Sequence, residues 1–271
     1  MPSPAAIRTP VCYIDNTIEL AHFLNLAMMF RRSPPALYID IQGKKLGRNG
    51  KISLLTIYSP LVYKVYIIDV HTLGKAAFDT PAACHMGDKD GNKIESGEKF
   101  TLGSVLQRED LPKVFFDVRS SSDALNALYG VKLDGVIEIQ LLECVISGRQ
   151  FVESLEFCMK LHGHGYFDPE EKMFWSDLKK QAREGIIADF EILDRRPLDI
   201  VVQWYCVNQV LFLPALYTSM SYRLTSEWER SVKMMSKIRV RATLAEDYVM
   251  RERDKWNPWR QLEMSHPFPR L

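Results

Sequence analysis

One stretch, Ala36-Leu37-Tyr38-Ile39-Asp40-Ile41-Gln42-Gly43, constrains this chain more than any other. It reads as a single apolar strand that ends by presenting Asp40 and Gln42. Side chains alternate along a strand, so residues two apart share a face and these two point into the same space. A glutamate at 42 would make a paired-carboxylate metal site at a strand end, as used in phosphoryl transfer. The chain carries the neutral amide instead.

The 271 residues, 46% of them hydrophobic, are enough for a sizeable core in one large domain or one domain with an appendage. The formal net charge is +1, so no global basic field announces nucleic acid and any such site must be a local patch. The cysteines at 12, 84, 144, 158 and 206 are scattered and odd in number, with no C-x-x-C. They point to a reducing compartment and away from a zinc ribbon or disulfide scaffold. The N-terminus lacks a signal-peptide layout, and no apolar run approaches the length of a membrane span. The expected state is soluble, in the cytoplasm or also the nucleus.

Residues 1–12 are Pro-rich and read as loose. Asn16 with Glu19 resembles a capping box, and the Leu20/Phe23/Leu24/Ala27 spacing is helical up to the prolines near 34. Strand-like runs follow at 36–41, 51–58 and 63–70, with short connections that favour an antiparallel meander. Residues 79–99 are polar and turn-rich. Asp88–Asn92 is faintly like a calcium loop, but its glycine is at the wrong offset and its flanks are not helical. A helix is expected over 101–108 and a strand over 113–118. A helix over 120–129 follows, capped by Ser121 or Ser122 and ended by Gly130. Val136–Gln140 is a further strand leading into a helix. The chain is then mostly helical, with one long helix expected over 198–216. Strands first, then strand–helix alternation, then helices give an α/β chain with a helical C-terminal part.

Phe115-Phe116-Asp117-Val118-Arg119-Ser-Ser-Ser-Asp123-Ala-Leu, Ile68-Asp69-Val70-His71-Thr72-Leu73-Gly74, Arg196-Pro197-Leu198 and Tyr205-Cys-Val-Asn-Gln209-Val-Leu-Phe-Leu resemble motifs of the fungal branch of the RNase D-like, DEDDy-type 3′–5′ exonucleases. The resemblance implies a ribonuclease H-like three-layer fold, with a mixed five-stranded sheet, one strand antiparallel, flanked by helices. It divides the chain into an N-terminal segment and helix (1–35), the exonuclease-fold domain (36–218) and a helical or irregular extension (219–271).

The family's chemistry needs four carboxylates, two metal ions and a tyrosine that orients the attacking water. Carried over by position, the set here is Asp40, Gln42, Asp123, Gln209 and Tyr205. Two of the four acids are therefore amides. A glutamine is nearly isosteric with glutamate, but hard divalent ions prefer charged oxygens. Asp40 and Asp123 would hold at most one weak Mg²⁺ or Mn²⁺, and two-metal hydrolysis is expected to be lost or severely reduced. The alternative is that a nearby acid, Asp117 or Asp69, substitutes.

A cleft built for a nucleic-acid 3′ end can outlast its metals. Lys44, Lys45, Arg48, Arg119, Arg195 and Arg196 fall near it in sequence, and the run 230–241 includes Arg239 and Arg241. Such residues can track phosphates, although a charge run is more often a solvated helix face. Trp228, Trp256 and Trp259 can stack on bases or anchor a tail. His162 and His164 form H-x-H with no third ligand near in sequence. Cys206 would be a nucleophile only if a base approached it.

Three functions follow. A repurposed enzyme would use the tyrosine, two acids and two amides on aminoacyl-tRNA, forming peptide bonds without metal. Fungal arginine-containing cyclodipeptide synthases are similar in kind, and an acidic pocket at Asp117 or Asp123 would suit an arginyl side chain. A non-catalytic adaptor would grip RNA and recruit a protein partner through the extension. A surviving exonuclease would work with one ion or a substitute acid.

Overall fold

The computed structural model describes residues 9–29, 35–83, 99–163 and 189–250, with scattered positions between 170 and 185. The Asp88–Asn92 loop, His164, Trp256 and Trp259 lie outside the described residues.

The meander forms as the pattern predicts. Strands β2 (Leu37–Gln42), β3 (Leu54–Ser59) and β4 (Lys64–Asp69) pair antiparallel in order. Strands β5 (Lys113–Phe115) and β6 (Val136–Glu138) add in parallel beside β2. The sheet has six strands rather than five. Val11–Ile14, whose first two residues fall in the stretch 1–12 expected to be loose, forms β1 and pairs parallel to β4, giving the order β1-β4-β3-β2-β5-β6. β1, which precedes residue 36, is therefore part of the sheet. β3 runs opposite to both of its neighbours.

Helix α1 (Thr17–Ala27) is capped by Asn16, whose side chain accepts the Glu19 N–H at 3.0 Å. Short helices α2 (Val70–Leu73) and α3 (Ala76–Asp79) follow β4. Helix α4 (Leu102–Gln107) opens on a capping box made by Thr101 and Ser104. At its end the wholly buried Lys113 donates to the carbonyls of Val105 (3.0 Å) and Arg108 (2.6 Å). It thus satisfies groups a helix C-terminus leaves open. Burial pushes its ammonium down to about 7.

Helix α5 spans Arg119–Tyr129 and ends at the left-handed Gly130. Neither Ser121 nor Ser122 caps it. The helix begins at Arg119 with Val118 at its N-cap, which puts both serines inside its first turn, and the Ser122 hydroxyl accepts from Thr243 at 2.7 Å instead. Helices α6 (Ile139–Ser147) and α7 (Leu155–His162) follow. The expected long helix is two, α8 (Ile200–Leu211) and α9 (Leu213–Ser221), because Pro214 starts a new helix after the turn at Phe212. By composition alone Ile200–Ser221 is apolar enough to cross a membrane, contrary to the expectation that no run approaches that length. Half of that stretch is buried in the fold, where Val202, Cys206, Val207 and Val210 serve the core. The last described helix, α10 (Ser226–Thr243), packs on β6, α5 and α6.

Alternation along the strands makes two cores. One face of the sheet, with Tyr38, Leu54, Tyr58, Val65, Ile67 and Val114, is covered by α8 and α9. The other, with Leu37, Ile39, Leu55, Ile57 and Ile68, is covered by α1, α4 and α5. Asp40 and Gln42 stand on the first face.

Candidate active site

Across the sheet Asp40 pairs with Thr56, and Gln42 with Leu54. The Gln42 amide N–H donates to the Asp40 carboxylate, and its carbonyl oxygen accepts from the Thr56 hydroxyl at 3.4 Å. Gln42 is buried, so this orientation is set by packing rather than by solvent. Helix α8 lies over β2, β3 and β4. Tyr205 and Gln209 are one turn apart and share a side of it. Gln209 is buried, and Tyr205 packs half-buried against the core. Cys206 is fully buried; burial and the nearby Asp40 charge push its thiol up, which removes it as a nucleophile.

Asp123, on α5, is not open to a ligand. The Arg48 backbone N–H donates to its Oδ2 at 2.8 Å, and the Arg48 guanidinium reaches its Oδ1 at 2.7–2.8 Å. The approach depends on Gly47, whose φ is +147° and where a Cβ would sit 3.2 Å from Asp123 Oδ2. The other guanidinium N–H groups donate to the carbonyls of Thr243 (3.1 Å), Ala245 (2.8 Å) and Glu246. Arg48 thus ties the β2–β3 loop, α5 and the C-terminal end of α10 into one knot. It sits where the α10 dipole favours a cation.

The substitute acids are likewise engaged. Asp69, wholly buried, takes a two-pronged ion pair from Arg196 and hydroxyl donors from Tyr13 and Thr72, each at 2.6 Å. Burial opposes its ionisation, but these donors outweigh burial and hold the carboxyl at about 2. Asp117, with φ +60°, takes both prongs of Arg119 at 2.7 Å. The reading in which Asp69 or Asp117 replaces a lost acid therefore fails on geometry: each is already neutralised by an arginine. The same pairings fill the sites considered for an arginyl substrate.

The Asp69 cluster has a consequence for stability. Its carboxyl is depressed in the fold, so its contribution is present above pH ~4 and lost as pH falls towards 2. That contribution is about 2 kcal/mol. Unfolding free energies from urea titrations at pH 6 and pH 2.5 should differ by most of this increment more in the wild type than in Asp69→Asn. Equal pH sensitivity in the two proteins would refute it.

The sequence placed eight cations near nucleic acid, and the structure sorts them. Arg119 and Arg239 are buried, on Asp117 and Glu138 respectively, and cannot reach phosphate; a buried carboxylate demands a partner. Arg48 and Arg196 are committed to Asp123 and Asp69. Lys44 pairs with Glu191, and Arg195 with Asp189, both at the surface. Lys45 and Arg241 are exposed. Trp228 packs half-buried against the core. The His162 side chain lies 3.6 Å from Glu143.

Sequence reasoning missed Asp194. It accepts from Lys51 and from the Ser53 hydroxyl at 2.7 Å, and lies 3.5 Å from His71 Nδ1. It fastens the β2–β3 loop to the 3₁₀ turn at Phe190–Leu193.

Exonucleases on this scaffold imply two metal ions, and the residues present do not fit them. Asp40 faces an amide donor, Asp123 is taken by Arg48, and positions 42 and 209 are neutral. Among the described residues no three His, Cys, Asp or Glu side chains are grouped to hold an ion.

No protein-family model matches the sequence, and no curated protein matches it. Solved structures do. The chain is similar to Trypanosoma brucei RNase D in a GMP complex, with 18% identity and a TM-score of 0.68 over 93% of this chain and 69% of that one. It is similar to the same organism's RNase D with RNA U12, with 18% identity and a TM-score of 0.63 over 91% and 75%. For Escherichia coli RNase D, an exoribonuclease involved in structured RNA processing, identity is 15% and the TM-score 0.55 over 90% and 52%. At such identities the likeness is one of fold. The mixed sheet flanked by helices is the ribonuclease H-like exonuclease fold.

Proposed function

We propose that this protein binds an RNA 3′ end, that of a tRNA, in an exonuclease-fold cleft that no longer performs two-metal hydrolysis. The observation that carries the reading is the Arg48–Asp123 pair. It adds a cation where a metal-binding acid would be needed, beside two acids already replaced by amides. The RNase D structures with GMP and RNA support a nucleotide-binding scaffold in those proteins.

The chemistry we propose there is peptide-bond formation from aminoacyl-tRNA. The α-amino nitrogen of one aminoacyl group attacks the ester carbonyl of a second. The C–N bond forms, the ester C–O3′ bond breaks, and the amine proton passes to the 3′ oxygen. A second, intramolecular attack by the free amine on the remaining ester carbonyl forms the second C–N bond and breaks the second C–O3′ bond, its proton passing to that 3′ oxygen, which releases the second tRNA and closes a diketopiperazine. Asp40 would hold the ammonium and accept its proton, while Tyr205 and the Gln42 and Gln209 amides would donate to the oxyanion. No metal or cofactor enters the balance.

The test is purified protein with charged tRNA, without ATP or added metal. A diketopiperazine should form, and Tyr205→Phe should slow it by roughly 10²-fold. Tight, salt-sensitive tRNA binding without product, unchanged by Tyr205→Phe, would replace the enzyme with a non-catalytic adaptor.

A further inference from the structure

A second groove lies along α10, apart from Asp40 and Gln42. Lys237, Arg241 and Leu244 form one wall, and Gln107, Lys132 and Asp134 the other. Its volume of about 340 Å³ is at the small end for a small-molecule pocket; an apolar floor of Leu133, Val136 and Val240 is rimmed by the charged Lys132, Asp134, Lys237 and Arg241. Lys237 and Arg241 stand on one side of α10 with Arg230 and Lys233, at i, i+3, i+7 and i+11. At 1.5 Å per residue this row runs for roughly 16 Å. Lys237 is held by Glu109 at 2.8 Å and lies 3.7 Å from Asp134, and Lys233 by Glu229 at 2.7 Å. Arg230, Lys132 and Arg241 are exposed. The cations outnumber the acids beside them, so the row stays positive. Past Leu244 the chain reaches Ala245, whose carbonyl is bound by Arg48 at the edge of the cleft.

We propose that this groove carries the phosphate backbone of a base-paired RNA stem whose 3′ end enters the cleft. The inference rests on the RNA reading above and adds a stem to it. Single strands are held by stacking bases on aromatic rings, and among the described residues no aromatic side chain lines this groove. Duplex RNA is held through its backbone and shape, which a cationic row can supply. The row ends where the chain turns to Arg48, which is paired with Asp123, so the groove and the candidate site are joined through that arginine.

The experiment measures binding of two probes over a salt series: a hairpin RNA with a short single-stranded 3′ tail, and the tail alone. The hairpin should bind the wild type more tightly. The variant Lys132→Ala/Lys237→Ala/Arg241→Ala should lose about tenfold or more in hairpin affinity, and its salt slope should fall by about two to three. Binding of the tail alone should change little. Because Lys237 also anchors Glu109, the single variant Arg241→Glu and a thermal melt of each protein control for folding. A well-folded triple variant that keeps the hairpin preference and slope overturns the groove but leaves the RNA reading standing. Failure of the wild type to bind either probe overturns both. Self-association lost in the variant, with RNA affinity unchanged, assigns the face to a second copy of the chain instead.

Discussion

A triple variant, Gln42→Glu/Gln209→Glu/Arg48→Met, should shorten a 5′-labelled RNA in Mn²⁺ by roughly 10²-fold or more over the wild type, and not at all in EDTA. The reasoning is electrostatic. Two of the positions that the resemblance to DEDDy-type exonucleases assigns to metal binding are neutral amides here, and a hard ion gains little from an amide oxygen compared with a carboxylate. Restoring them alone is not enough, because Asp123 remains paired with Arg48 at 2.7–2.8 Å. Removing that guanidinium lifts its positive charge and frees Oδ1, while the backbone N–H of residue 48 still donates to Oδ2. A metal then supplies several kcal/mol of charge stabilisation, which is the factor expected. The double variant that keeps Arg48 should fall well short of the triple. Equal Mn²⁺-dependent shortening by the wild type and the triple variant would show that the amides never disabled the nuclease. The proposal for aminoacyl-tRNA would fall with it.

Arg239→Met should destabilise the protein by about 3–5 kcal/mol, the usual cost of leaving a buried charge without its partner. Glu138 is wholly buried at the edge strand β6, and its second oxygen already takes the Asp117 N–H at 2.6 Å. Arg239 also donates to Gln140 at 3.2 Å, so its loss removes two polar contacts of α10 and leaves Ser236, which accepts the Glu138 N–H at 3.2 Å. At roughly 2–4 °C per kcal/mol the melting temperature should drop by about 10 °C. Glu138→Gln combined with Arg239→Met should recover much of the loss, since no charge is then stranded. A double variant no better than the single would mean that the arginine acts through packing rather than charge.

These two sites show what a sequence can and cannot disclose. Period-two alternation puts Asp40 and Gln42 on one face, and a one-turn spacing puts Tyr205 and Gln209 on one side of a helix. Both follow from local geometry, and so does the β2–β3–β4 meander with its short turns. The pairing of Arg48 with Asp123 spans 75 residues, and that of Arg239 with Glu138 spans 101. No local pattern encodes either. A basic run reads alike whether its arginines face water or a buried carboxylate. β1 was missed for a similar reason: four residues beside a proline carry little strand signal, and their partner is β4, far along the chain. The break at Phe212 was visible in Pro214 but was overridden by the apolar run around it.

The parallel pairing of β1 with β4 also sets an order in time. Val11 cannot find Val65 until the β3–β4 hairpin exists. At synthesis rates of about 5–20 residues per second, several seconds separate the two strands as they are made. Through that interval Ile14, buried in the finished protein, has no sheet to join. A nascent chain here must keep its first strand idle and then recruit it. Anything that delays its return, such as a bulky N-terminal fusion, acts on how quickly the molecule is completed rather than on how firmly it holds once made.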